Sequence, residues 1–283
     1  MVIPAILPRD AVALARLEWA DVRRSRWLIT CIGLYGALGA LFVTVGLRES
    51  SVVGFTGMGR VLFSLSHALV VLLPLMALSV SGQTVSRARD DGSLELLLSQ
   101  PLRRTSYLAA VTAVRFLSLV VPLFVVLLGL GAIARIGFGD AVPWFLILRA
   151  ALVSAALLWS FVAIGIAIST RVRSAARATT ALILCWIAAV ALLDFGLVGL
   201  LLRWPLDPRA VFLLAGLNPV QAARLALLSA AEPDLATLGP VGFFLANSLG
   251  PRGLLAFGLA WPLLLGSAVW LWTLRAFRRG DAI

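Results

Sequence analysis

Long apolar runs alternate with short polar stretches along the chain, and the polar stretches carry most of the charge. A bilayer core of about 30 Å takes roughly 20 helical residues to cross. Six runs come up to that length: residues 27–47, 58–80, 107–133, 142–168, 180–202 and 253–274. Pro122 falls inside the third and predicts a kink there. Ahead of the first run, Val12, Leu14, Leu17 and Val22 interleave with Arg16, Glu18, Asp21, Arg23 and Arg24, and Asp10 can cap the start. Residues 9–26 therefore read as a basic amphipathic helix lying on the membrane surface. A secretory h-region spans only about 7–15 residues. The first run is longer, so it is expected to stay as a membrane segment.

The polar stretches are unequal. Residues 48–57, 135–141 and 170–179 are short connections. Residues 81–106 are different. Arg87, Arg89, Asp90 and Asp91 lead into Gly92 and Ser93, then Leu94, Glu95, Leu96, Leu97 and Leu98, stopped by Pro101 and followed by Arg103 and Arg104. The pattern predicts a short helix with one apolar face, bounded by glycine and proline. In a loop, such a helix is a docking element for a soluble partner, with Asp90, Asp91, Gly92, Leu94, Glu95, Leu97 and Leu98 as the contact residues.

Residues 203–252 form the longest stretch between runs. Asn218 followed by Pro219 is a helix start, a cap and then a first-turn proline. Ala222, Leu225, Ala226 and Leu228 continue it as an apolar stripe. Two readings stay open. The stretch rests on the membrane or a partner through Asn218, Pro219, Arg224, Leu225 and Leu228, or it packs on the ends of the bundle.

Composition agrees with the pattern. Hydrophobic residues make up 61% of the 283 and charged residues 13%, against about a quarter charged in soluble domains. Mean hydropathy is +1.02. The chain is therefore an all-α polytopic membrane protein, and residues 1–283 read as one membrane domain with no internal repeat. All 24 basic residues are arginine. They cluster at positions 9–26, 87–104, 171–177 and 275–279, and are sparser at Arg48, Arg135, Arg203, Arg209, Arg224 and Arg252. Under the positive-inside rule, both termini and the docking stretch lie in the cytoplasm and residues 203–252 lie outside. The net charge of +11 follows membrane topology, so no nucleic-acid partner is inferred.

Absences narrow the chemistry. Without lysine there is no phosphate-binding Gly-Lys-Ser/Thr loop and no Schiff base. One histidine rules out a His-Glu-x-x-His zinc site, no Gly-x-Ser-x-Gly elbow occurs, and no metal site is expected. Cys31 and Cys185 read as small buried hydrophobes.

Among the polar residues within apolar runs, His67, Arg115, Arg149 and Asp194 stand out. A charge at such depth costs several kcal/mol unless it is paired or hydrated. Arg115 and Arg149 can snorkel to a surface or pair within the bundle. Asp194 reads as an outer hinge or partner contact, or as the structural partner of an arginine such as Arg149. His67 reads as a hydrogen-bonded structural residue or as a proton relay.

The surface helix, six crossings, a docking helix between the second and third, and no ATPase motif together resemble the permease subunits of ABC-2 type transporters. The stretch Gly92-Ser93-Leu94-Glu95-Leu96-Leu97-Leu98-Ser99-Gln100-Pro101 is similar to that family's cytoplasmic loop. Gly54-Phe55-Thr56, Leu193-Asp194-Phe195, Leu217-Asn218-Pro219 and the following Arg224-Leu225 and Leu228-Ser229 resemble the NosY family. Those permeases belong to the complex that matures the copper sites of periplasmic nitrous oxide reductase. The resemblance implies an elbow helix at 9–26, a coupling helix in 81–106 and a homodimer in the bacterial inner membrane. It implies two NosF-like ABC ATPase subunits that bind ATP and Mg, this chain holding no cofactor and catalysing nothing. It also implies a NosD-like β-helical, copper-handling partner in the periplasm. The same fold serves exporters of lipids, drugs or glycans, which stay as the alternative. A structural anchor without an ATPase is the third class, and the docking stretch argues against it.

Overall fold

The computed structural model describes residues 9–49, 57–100, 102–138, 144–192, 216–231, 235 and 239–279. Every regular element among them is helical. In chain order they are α1 (Arg9–Arg24), α2 (Trp27–Glu49), α3 (Gly57–Ser81), α4 (Thr84–Asp90), α5 (Ser93–Leu98), α6 (Arg104–Phe138), α7 (Trp144–Arg171) and α8 (Ala175–Ile187). A π-helical turn, Ala188–Leu192, extends α8; α9 (Pro219–Ala231), α10 (Gly239–Ser248) and α11 (Gly250–Arg279) follow.

Four stretches are long and apolar enough to cross a bilayer: Ser64–Asp90, Arg104–Ile133, Trp144–Arg171 and Gly250–Arg279. Two more apolar stretches, Trp27–Leu41 and Ala175–Ala191, are shorter within the described residues. They coincide with the expected first and fifth crossings, and residues 193–202 of the fifth lie outside the described residues. Pro122 sits inside an unbroken α6. The connection expected at 170–179 is compressed. Helix α7 continues to Arg171, and Ser174 caps α8 by accepting a bond from Arg177 N.

Helix α7 is the centre of the bundle. It is buried on most of its circumference, from Ile147 and Ala150 through Leu157 and Phe161 to Ser169, and a helix apolar all round belongs in a core. Helices α3, α6, α9 and α11 pack on it. Lipid tails are as apolar as leucine, so helix association here relies on close packing of small residues. A Cβ at Gly266 of α11 would sit 2.8 Å from Ser160 Cα of α7. One at Gly258 would sit 2.7 Å from Ala222 O and would collide with Ala226 Cβ, so α9 and α11 meet nearly backbone to backbone. Indole N–H groups add cross-helix bonds, from Trp159 to Ser267 Oγ, Trp270 to Thr112 Oγ1 and Trp186 to Val71 O.

Helix α1 forms as its pattern dictates. Asp10 lies in its first turn and Arg23 and Arg24 in its last, matching the helix dipole. Ala11, Leu14 and Val22 are buried against the bundle. Arg26, at φ 55°, breaks the chain between α1 and α2.

Candidate functional site

The α4–α5 loop is built around Gly92. Its φ of +74° lies in the left-handed region that glycine tolerates, and the reversal turns α5 back on α4. Asp91 Oδ1 accepts from Ser93 N at 2.9 Å, closing the turn, and Ser93 Oγ donates to Ala88 O at 3.2 Å. The bond from Ser93 holds the exposed Asp91 carboxyl below the usual carboxylate range.

The six residues of α5 divide into two faces. Leu94 is 2% exposed, and Leu97 and Leu98 are half-buried and packed on the core. Glu95 points outward with Leu96, which is 71% exposed. Burial divides the expected contact set: Asp90, Asp91 and Glu95 are exposed and Leu94 is buried. Leu94 anchors the helix from inside, and Leu97 and Leu98 help it, because residues at i, i+3 and i+4 share one helical face. Leu96, absent from the expected set, is the apolar side chain presented outward. Counting from Leu94 would have revealed it, since Leu96 falls opposite the 94/97/98 face.

Helix α4 is pinned to α7 and α8 by polar contacts. Ser169 Oγ of α7 accepts from Val85 N at 2.9 Å and Ser86 N at 3.1 Å, satisfying donors at the start of α4. Arg89 donates to Thr170 O and Val172 O, both at 3.3 Å, at the C-terminal end of α7. A cation there complements the dipole. Asp90 Oδ2 accepts from Ala175 N at 3.0 Å, placing a carboxylate at the N-terminus of α8. Gln83 Nε2 donates to Thr179 Oγ1 at 2.6 Å. Asp90, expected on the docking face, is exposed and also accepts from the first turn of α8. Below these contacts the backbones close up: a Cβ at Gly165 of α7 would strike Ser81 Oγ, and one at Gly82 would strike Leu182 of α8.

On its other side the loop borders a cavity of about 840 Å³. Arg87, Ala88, Asp91 and Leu97 line it from the loop, and Leu17, Glu18, Asp21 and Arg24 from α1. Arg115 of α6 lies at its margin and binds Glu18 at 3.2 Å and Asp21 at 3.5 Å. Of the two routes open to Arg115, pairing is the one taken, and it ties α1 to α6. Burial raises the Glu18 carboxyl above its usual range, outweighing the opposing pull of Arg115.

The family model for the ABC-2 family transporter protein matches residues 12–201. The chain belongs to the ABC-2 transporter family. A probable ABC transporter permease protein NosY of Pseudomonas aeruginosa is 31% identical over 272 residues, covering 90% of this chain and 94% of that one. A protein of the same description from Stutzerimonas stutzeri is 29% identical over 234 residues, covering 80% and 84%. The chain is thus an ABC transporter permease subunit, NosY-like, and a multi-pass membrane protein. In such transporters the ATPase activity resides in a separate subunit.

At the opposite end of this ABC-2 bundle, Arg149 of α7 is 5% exposed. It donates to Ala226 O from two nitrogens, to Ser229 Oγ at 2.6 Å and to Pro251 O at 3.3 Å. The guanidinium sits in the C-terminal half of α9 and joins it to α7 and α11. Asp194, weighed as its counter-ion, lies outside the described residues. At the other end of α9, Asn218 Oδ1 accepts from Val220 N at 3.0 Å, and Nδ2 donates to Ala189 O in the π-helical turn at 2.6 Å. The expected cap and first-turn proline are both present.

Within residues 203–252, helix α9 is packed inside the bundle; residues 203–215, 232–234 and 236–238 lie outside the described residues. Asn218, Pro219 and Leu225 are buried, and Arg224 and Leu228 are half-buried. The five therefore do not form an open partner face, because the alanine stripe that gives α9 its apolar side also lets it nest on Gly258. Leu217, Asn247, Ser248, Leu249, Pro251 and Arg252 are exposed nearby. His67 is half-buried within α3.

Proposed function

We propose that this permease subunit couples ATP hydrolysis in the cytoplasm to a partner on the other side of the inner membrane, in the service of copper-site maturation of nitrous oxide reductase. Two copies of the chain cross the membrane six times each, with termini inside. Two ATPase subunits seat on the α4–α5 loops, and a periplasmic β-helical, copper-handling protein meets the opposite end around Leu217, Leu249 and Arg252. ATP and Mg belong to the ATPase subunits, and this chain contributes no catalytic group.

One observation carries the reading. The loop offers Glu95 and Leu96 outward from a six-residue helix whose other face is fastened into the bundle. An exposed leucine beside a charge on a rigid mount suits the groove of a soluble partner. Support also comes from the Pseudomonas aeruginosa permease relative, which matches over 90% of this chain. Leu96→Asp and Glu95→Arg are expected to abolish co-purification of the ATPase while the permease keeps its thermal stability in detergent. Stoichiometric ATPase retained by both variants would overturn the reading. A deletion strain that keeps copper in nitrous oxide reductase but fails to export a lipid, drug or glycan would favour the exporter alternative.

A further inference from the structure

We propose that the cavity walled by α1, α3, α4, α6 and α8 is a binding site for one phospholipid whose zwitterionic headgroup carries a primary amine. The phosphate meets Arg24 and Arg87, the ammonium meets Asp91, and an acyl chain lies along α3 and α8. The site goes beyond ATPase docking at Glu95 and Leu96 and does not depend on it.

The cavity, about 840 Å³, falls in the size range of small-molecule sites, and its wall changes character along its length. Leu75 and Leu78 line it from α3, and Leu182 and Ile183 from α8. The α3 residues belong to a stretch apolar enough to cross a bilayer, Ser64–Asp90. Further along the same stretch Gln83, Thr84 and Arg87 take over the wall, joined by Asp91 from the loop and by Arg24 from the end of α1. An apolar half that gives way to a charged half is the profile of a lipid at the membrane boundary. The apolar half also reaches the surface. Ile183 is 48% exposed, and Leu184 and Ile187 continue an exposed apolar face on α8. In a bilayer such a face meets acyl chains, so a chain lying on α8 enters the cavity past Ile183.

Charge selects the headgroup. Glu18 and Asp21 are engaged by Arg115. Arg24 and Arg87 form no ion pair among the described residues, and guanidinium groups match phosphate oxygens in shape and charge. Asp91 accepts from Ser93 N through Oδ1, and a carboxylate has lone pairs for further donors. Cations and a carboxylate on one wall suit a headgroup that carries both signs. A purely anionic headgroup would set its charge beside Asp91, and a quaternary amine has no N–H to donate to it. Two wall residues also hold buried donors that find no acceptor among the described residues, Trp27 Nε1 and Arg115 Nε. Buried donors are almost always partnered. Phosphate and ester oxygens, directly or through a bound water, supply acceptors there.

The test uses the full-length permease in detergent, stripped of lipid, with Cys31 and Cys185 replaced by alanine and a single reporter in the wall, Thr84→Cys. Phosphatidylethanolamine, phosphatidylcholine, phosphatidylglycerol and inorganic phosphate are added separately. Native mass spectrometry counts what is bound, and the rate of N-ethylmaleimide reaction at position 84 reports occupancy of the cavity. Phosphatidylethanolamine is expected to bind once per chain and to slow the reaction about tenfold, the scale of one hydrogen bond to a charged group; the other three are expected to leave the rate nearly unchanged. Arg24→Ala combined with Arg87→Ala is expected to weaken phosphatidylethanolamine binding by about tenfold or more. Asp91→Asn, which keeps an acceptor for Ser93 N, is expected to erase the preference over phosphatidylcholine. Equal protection by phosphatidylcholine or phosphatidylglycerol in the parent would overturn the headgroup assignment. Protection by inorganic phosphate alone would give the cavity to a soluble anion, and a disulfide between two copies through position 84 would give it to a second chain. Lipid that binds without slowing the reaction, or that binds the double arginine variant as tightly as the parent, would place it on the outside of the bundle. Each of these defeats the lipid site and leaves ATPase docking, read by co-purification, untouched.

Discussion

Single residues decide where this bundle bends and where it holds. Gly92 occupies the left-handed region with nothing within 4 Å of a Cβ built on it, so a substitution there meets backbone strain and no clash. Gly92→Ala is expected to cost about 1–2 kcal/mol, read as a lower thermal midpoint, whereas Gly92→Asn is expected to cost less because asparagine tolerates that region. Equal losses would place the cost in packing instead. Glu18 gives a pH signature of definite sign. Burial lifts its carboxyl above the value in the unfolded chain, so the folded state binds the proton more readily. Its contribution to stability is full below the unfolded pKa and is lost as pH rises through the folded one. Relative to Glu18→Gln, the parent's stability is therefore expected to fall over the pH window that opens at the ordinary glutamate pKa of about 4.3. A difference curve that rises over that window would contradict the burial argument. Arg115→Ala is expected to be worse than Glu18→Gln at pH 7, since it leaves the largely buried Glu18 carboxylate without its cation.

At the scale of the element, the short helix α5 separates anchoring from recognition within six residues. Leu94→Ala should lower stability by about 2–5 kcal/mol, as for other buried leucines, and take docking down with it. Leu96→Asp should leave the melting curve in place and remove only the ATPase, so thermal unfolding beside co-purification tells the two faces apart. The same element shows what the residue pattern discloses. Glycine and proline announced its ends, and the leucines announced an apolar face, because both signals are local. Which leucine faces outward needed the helical angle between positions 94 and 96, and that angle was available in the spacing. The partners of Arg89 and Asp90 were not available. Their bonds run to residues more than 80 positions away, and no local pattern ties an acid before a glycine to the first turn of a later helix. Helix α9 is the converse case. Its cap and stripe were legible, but Ala222 and Ala226 suit a membrane face and a helix interface equally. Only Gly258, arriving across the fold, makes them an interface.

At the scale of the whole molecule, two polar nodes at opposite ends frame an apolar bundle. One joins α4, α7 and α8 around Arg89 and Asp90; the other joins α7, α9 and α11 around Arg149. Helix α7 runs between them, 28 residues or about 42 Å at 1.5 Å per residue, enough to carry a displacement across a bilayer core of about 30 Å. The far node is expected to depend on the shape of the guanidinium, since one arginine reaches Ala226, Ser229 and Pro251 together. Arg149→Leu should cost about 1.5–3 kcal/mol, and Arg149→Lys should recover only part of this because an ammonium lacks the planar fork. This arrangement transmits motion only if the two nodes lie on opposite sides of the membrane. The positive-inside rule predicts the α4–α5 end inside and the α9 end outside, and the exposed side chains of Gln100 and Arg252 mark the two ends. Single cysteines at these positions, in the cysteine-free background, should react with a membrane-impermeant thiol reagent from opposite faces. In intact cells with a permeabilised outer membrane, position 252 should label and position 100 should not; inverted vesicles should reverse the pattern. Labelling of both from one face would leave α7 with no membrane to cross between its nodes, and the coupling argument would fall with the topology.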